Sequence, residues 1–405
     1  MKAHTIACVL ALAAAVAAQD EIHAYKAARI WPAGGSPVEQ GVLVVVGGKV
    51  AAIGGADTAI PEGAKVHDLG SAVITPGLVD ASWQRTGSPE DRNEQSSEVT
   101  PHMRAIDAWD PLDPQVVRAR KGGVTTLHHT PGNRAVIGGL GVVVKTTPAS
   151  APTTLLKDDV SLRITMGAEP SMGNRAIRGG SVDSIYYRRP TTRMGVVWEV
   201  RRAFSKAQDY QQRTIAEGSP ADPAMEVLVR ALQGKVTVIT TARAEQDIRT
   251  ALRLADEFGY KTAIDEGVES HVMAEELAAA GATVMVGAPS ADRVSGAGGS
   301  DGAEPRWSTL SRLATAGVPF VVTTGGNAAA LPLAQEAMFA VRFGLTPELA
   351  LDAVTLRPAR LLGVDDRVGS LAPGKDADFV IWSTDPFDPT AVATAVHVNG
   401  TRIQD

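Results

Sequence analysis

Hydrophobic and polar positions alternate with a short period at both ends of the chain and with a longer one between them. Near the start, residues 24–29, 41–46 and 49–53 read as short strands, the last two of them apolar runs parted by Gly47-Gly48. Two such runs joined by a glycine pair predict a β-hairpin. The far end carries matching material: apolar runs at 379–382 and 395–398, then Asn399-Gly400 leading into 401–403. Asn-Gly accepts the positive φ angles of a two-residue hairpin turn. In the later part of the middle section, predicted strands at 235–241, 261–267, 282–287 and 319–325 alternate with helical spacing at 247–258 and 271–280. That alternation predicts a parallel sheet with helical crossovers. Further helices are predicted over 331–343 and from Thr346-Pro347-Glu348, where an N-cap precedes proline at the first helical position.

The section before it is less regular. A helix is predicted over 110–121, strands over 123–127, 142–145 and 161–166, and a helix over 194–215 from the spacing of Val197, Val200, Phe204, Ala207 and Tyr210. The arginine-rich stretch 174–193 reads as a loop over the functional end of the sheet, and the glycine-rich 296–302 as a flexible lid.

Charge and cysteine usage narrow the field. The net charge of -6, without any basic tract, argues against nucleic acid. Lys2 and His4 precede an apolar stretch over 6–18 that ends in small residues, the pattern of a secretory signal peptide cut near Gln19. The stretch is shorter than the ~20 residues a membrane span needs, so the expectation is an exported protein, periplasmic or extracellular. Cys8, the single cysteine, lies within that leader. The exported chain would then hold no disulfide, thiolate metal site or cysteine nucleophile. The Gly-x-Ser-x-Gly pattern at 298–302 falls in the glycine-rich stretch, which lacks the flanking strand of a nucleophile elbow.

The most informative stretch is 71–86, where an apolar run is broken by Pro76-Gly77 and followed by Leu78-Val79-Asp80-Ala81. It resembles the signature of the amidohydrolase superfamily. Gly123-Val124-Thr125-Thr126, the glycine-rich 138–143, Thr192-Arg193-Met194-Gly195 and the tail Gly369-Ser370-Leu371 with Pro373-Gly374-Lys375 and Ala377-Asp378 resemble its secreted, imidazolonepropionase-like branch. The resemblance implies an α/β fold, a (β/α)8 TIM-type barrel over 76–363. It also implies a composite β-sandwich domain formed by both chain ends, 19–75 and 364–405, after the signal peptide of 1–18. The implied activity is hydrolysis of non-peptide C–N bonds such as those of cyclic amides, on one or two divalent ions that activate water.

The resemblance also implies where the ligands belong, and those positions hold other residues. Ser82 and Gln84 stand for the His-x-His after the first strand, Thr241 and Glu266 for the histidines after strands five and six, and Gly325 for the aspartate after strand eight. The strand-four acid falls near Ala168 or Glu169. The expectation is therefore no bound metal or other cofactor and little or no metal-dependent hydrolysis. Two alternatives stay open. One is a relocated acidic site with candidates Glu169, Asp265 and Glu266 and one inward histidine of the pair His128-His129. The other is a non-enzymatic binding or partner subunit that takes an anionic small molecule through Arg188 and Arg189, as a homo-oligomer or beside a paralogue. His23, His67 and His397 are expected at the surface of the β domain.

Overall fold

The computed structural model describes residues 21–89, 91–147, 155–172, 174, 189–217, 221–287, 305–325 and 331–403. Residues 1–20, which carry the expected signal peptide, the segment 296–302 and Arg188 with most of the arginine-rich stretch lie outside the described residues.

Strands are numbered in chain order. The chain ends meet in one hydrogen-bonded sheet: β1 (Ile22–Ile30), β2 (Val38–Val46), β3 (Lys49–Gly54), β4 (Lys65–Asp68) and β5 (Val73–Pro76) are joined by β14 (Phe379–Trp382), β15 (Ala393–Val398) and β16 (Thr401–Arg402). The hairpins form where the turn residues allow them, with Gly47, Gly48, Asn399 and Gly400 all at positive φ. β14 runs antiparallel to β5, with Phe379 opposite Pro76 and Ile381 opposite Ile74, which ties the last strands of the chain to the first. Tyr25, Leu43, Ile74 and Phe379 form the core of this sheet. His397 belongs to that core and not to the surface. It faces Phe379 across the ladder, stacks on its ring at 4.2 Å, and burial pushes its pKa down to about 3.

The second sheet takes the intervening strands in chain order: β6 (Leu78–Trp83), β7 (Val124–His129), β8 (Ile137–Lys145), β9 (Leu155–Thr165), β10 (Thr237–Thr241), β11 (Thr262–Asp265), β12 (Val284–Val286) and β13 (Phe320–Val322). A parallel bridge between Trp83 and Gly325 brings its two edges together. Helices fill the crossovers: α1 (Pro114–Lys121), α2 (Arg193–Glu217), α3 (Pro223–Leu232), α4 (Glu245–Phe258), α5 (Ala274–Ala280), α6 (Thr309–Thr315), α7 (Leu333–Arg342), α8 (Pro347–Ala353) and α9 (Leu356–Leu362). Asp113, Asp222 and Thr346 cap α1, α3 and α8 with side-chain oxygens, and Gly259 and Gly281 close α4 and α5 in the left-handed conformation.

A regular strand–helix alternation holds only from β9 onward. β8 is antiparallel to both β7 and β9. Residues 130–136 alone separate β7 from β8, which is too short for the helical crossover that a parallel neighbour demands.

The strands enclose an apolar layer of Val79, Ala81, Val143, Ile239, Ala263, Met285 and Val321. Side chains in a strand repeat faces every second residue. The next inward positions toward the C-terminal ends therefore include Thr241, Asp265 and Thr323, and these polar groups rest on the apolar layer.

The two sheets are joined by a buried charge cluster. Lys145 is fully buried and its Nζ donates to Asp376 at 2.7 Å, to Asp378 at 3.0 Å and to the Asn399 amide oxygen. Asp376 also pairs with Lys49 and, at 2.8 Å, with Arg367, which together hold its carboxyl below the usual range despite burial. For Asp378, burial prevails and lifts the carboxyl above that range in spite of Lys145. Removing one partner of such a group leaves a stranded charge, at a cost of ~3–5 kcal/mol. Lys145→Met is expected to destabilise by that amount in urea titrations at pH 7. Asp378 binds its proton more tightly folded than unfolded, so the deficit should shrink as pH falls toward 4.

Candidate functional site at the carboxyl ends of the strands

β9 reads Val160-Ser161-Leu162-Arg163-Ile164-Thr165, a strict alternation that would ordinarily mark one dry and one wet face. Here both faces are buried, and the polar one points into the space that the strands surround. Arg163 is only 1% exposed. Its Nη2 donates to Asp265 Oδ2 at 2.8 Å and to Ser82 Oγ at 3.2 Å. Its Nη1 donates to Asn133 Oδ1 at 3.2 Å and to Thr241 Oγ1. With its amide oriented to satisfy both ends, Gln84 accepts from the two terminal nitrogens at 3.1 and 3.2 Å. Ser82 closes the ring by donating to Asp265 at 2.6 Å. One guanidinium thus gathers oxygens from β6, β10, β11 and the segment after β7.

A second arginine organises the outer rim. Arg243 reaches Glu169 at 2.8 Å and donates to Glu266 at 2.6 Å, while Asn133 donates to the other Glu266 oxygen at 3.0 Å. Burial would raise the Glu266 carboxyl, but Arg243, Arg163 and the Asn133 hydrogen bond hold it below the usual range. Its backbone sits at φ +55°, which turns Glu266 away from the direction taken by Asp265. The neighbouring carboxylates therefore serve different arginines.

Below this rim lie the remaining polar groups. Asp80 is fully buried, and burial raises its pKa although Thr323 donates to it at 2.6 Å and Thr324 adds a second hydroxyl. His128 Nδ1 donates to the Ala81 carbonyl at 2.7 Å, which leaves Nε2 to accept from Ser161 Oγ at 2.8 Å. His129 is buried on the other face of β7, its ring 5.5 Å from that of Trp109. Burial takes the two imidazoles down to about 3 and about 4, so both are neutral in the folded protein at pH 7.

The six positions singled out by resemblance thus separate into three groups. Ser82, Gln84 and Thr241 bind Arg163 directly. Glu266 and Glu169 share Arg243, and neither meets an imidazole among the described residues. Gly325 sits at φ +65° with its carbonyl accepting from Arg85 at 3.3 Å. Arg189 is exposed and lies 3.7 Å from Glu98. The residues that sequence reasoning passed over are Arg163 and Arg243. For Arg163 the signal existed as a lone cation in the alternating strand, but polar positions of such strands usually face solvent.

With that geometry in place, the comparisons decide the family. The amidohydrolase family profile matches residues 225–403. A solved amidohydrolase from Thermotoga maritima superimposes with a TM-score of 0.82 at 30% identity, over 94% of this chain and 99% of that one. The chain belongs to the amidohydrolase family. Amidohydrolase tasK of Hapsidospora irregularis is 29% identical over 92% of this chain, which spans 40% of that relative's length. An imidazolonepropionase of Shewanella oneidensis is 41% identical over 87 residues, 20% of this chain and 21% of that enzyme.

The donor set among the described residues of this family member does not fit a divalent ion. Among the described residues no three histidine, cysteine or acidic side chains converge on a common point. The oxygens that do converge are already committed to a cation. A divalent ion ~4 Å from a guanidinium would meet a repulsion of ~8 kcal/mol even at an effective dielectric of 20. Asp265 supplies the single carboxylate within the ring to offset it.

Two outcomes follow for this site. Arg163→Met strands Asp265 in the interior and should cost ~3–5 kcal/mol in denaturant titrations, with Asp265→Asn in the same chain recovering part of it. A double-mutant cycle on the pair should give a coupling of ~0.5–3 kcal/mol. Separately, His128 and His129 bind protons in the unfolded chain but not in the folded one between pH 6.5 and about 4. Their contribution is present above the unfolded value and lost as pH falls, so the urea midpoint should drop from pH 7 to pH 5, each histidine adding up to ~1.4 kcal/mol per pH unit.

Proposed function

We propose that this amidohydrolase family member keeps the family scaffold, a (β/α)8-type barrel closed through the Trp83–Gly325 bridge, without metal-dependent hydrolysis of C–N bonds. The observation that carries this reading is the Arg163 guanidinium, ringed by Ser82, Gln84, Thr241 and Asp265 where the family's ion would be held. An arginine supplies donors to bound oxygen but does not deprotonate, and it does not lower the pKa of a water molecule as a divalent ion does. What this centre offers a ligand is a preorganised polar floor whose charge Asp265 already meets, behind a rim of Arg243, Glu169 and Glu266, which suits binding a neutral, carbonyl-bearing small molecule.

The relocated acidic site is the weaker alternative. A general acid must hold a proton near neutral pH, and Glu266 is kept ionised by Arg243 and Arg163. Glu169 is held against the same Arg243 at 2.8 Å, which favours its ionised form as well. The reading as a binding or partner protein in an exported location extends from the same centre and from the leader-like start of the sequence.

The deciding experiment incubates the purified chain with zinc, iron or manganese, removes free ion, and measures metal content alongside hydrolysis of a cyclic-amide and dipeptide panel. Substoichiometric metal and hydrolysis at the uncatalysed rate are expected. Stoichiometric metal together with turnover abolished by a chelator would overturn the proposal. Turnover without metal that Glu266→Gln abolishes would favour the acidic site instead.

A further inference from the structure

At the opposite, amino-terminal ends of β12 and β13 lies a cavity of about 550 Å³, walled by Val318, Phe320, Leu349 and Leu361 and bordered by Arg357 and Arg360. Thr283 and Pro319, the residues that enter these strands, open onto it, so it is remote from the Arg163 ring. Arg357 comes from the first turn of α9 and lies over the Phe320 ring at 4.6 Å. It is half-buried, and among the described residues its guanidinium makes no hydrogen bond or ion pair. Burial lowers its pKa, with Asp352 acting in the opposite sense from a distance. Arg360 is exposed at the rim and 3.9 Å from Asp365.

A guanidinium half removed from water with its fork of donors unused is an incomplete recognition element, because planar carboxylates match that fork with two parallel hydrogen bonds. Its seat over the Phe320 ring restricts the guanidinium, so less side-chain freedom is left to lose on binding. The walls beyond it are aliphatic and aromatic, in a chain whose net charge of -6 gives anions no general attraction. Small-molecule sites combine such a largely apolar concavity with a few placed polar groups.

We propose that this cavity is a second binding site, for a small monocarboxylate with an apolar body, whose carboxylate pairs with Arg357 and whose tail lies against Val318, Phe320, Leu349 and Leu361. Arg360 adds positive field at the entrance. The site is independent of what happens at the Arg163 ring.

The test titrates octanoate, and octanol as its uncharged counterpart, into the full-length chain by calorimetry. Folding of each variant is checked by circular dichroism and by its thermal midpoint. Saturable octanoate binding, weakened about tenfold by Arg357→Met and absent for octanol, is expected. Should Arg357→Met fail to fold, Ala314→Trp, which fills the cavity from α6, must abolish binding while Arg360→Gln weakens it. No saturable heat up to about 10 mM octanoate, equal binding of octanol, or binding unchanged in the folded variants would overturn the proposal.

Discussion

A buried cation organises the functional end of this molecule. Arg163 is nearly inaccessible to water, and a guanidinium is too costly to bury unless its charge and its donors are met. Asp265 meets the charge, and Ser82, Gln84, Asn133 and Thr241 meet the donors. They come from four separate parts of the sheet and its loops. The arginine therefore holds the carboxyl ends of β6, β9, β10 and β11 at one spacing, as a bound ion would. The difference is chemical: an ion leaves coordination sites open to water and substrate, whereas the planar fork spends its donors on the oxygens around it.

The same logic of satisfied burial recurs at two other places. Lys145 with Asp376 and Asp378 fastens the sheet of the chain ends to the sheet of the middle section. Arg243 with Glu169 and Glu266 fastens the rim. In each case an acid that looks catalytic in isolation is consumed by a neighbour's charge. Asp80 differs, since burial favours its protonated form although hydroxyls of Thr323 and Thr324 and the Arg85 charge act in the opposite sense. Arg357 is the exception to the rule, a half-buried cation whose donors point at a cavity.

Strand and helix periodicities were legible along much of the chain because local pattern fixes local structure. The hairpin turns at Gly47-Gly48 and Asn399-Gly400, the glycine stops of α4 and α5 and the cap at Thr346 all stand where the residues predict them. The short helices α3, α6 and α9 were not legible, since seven to ten residues with few turns carry weak periodicity. The strand at 142–145 was legible, but not the antiparallel run of β8, because its direction depends on how little chain separates it from β7.

The sequence by itself determined the family and placed Ser82, Gln84 and Thr241 within recognisable motifs, because those are identities at local positions. Only the tertiary structure decided what those residues bind. Arg163, Asp265 and Asn133 are separated by tens of residues in the chain, and which face of β9 looks inward depends on the sheet that surrounds it. Whether a charge is buried, and what neutralises it, is a property of packing and not of any local stretch.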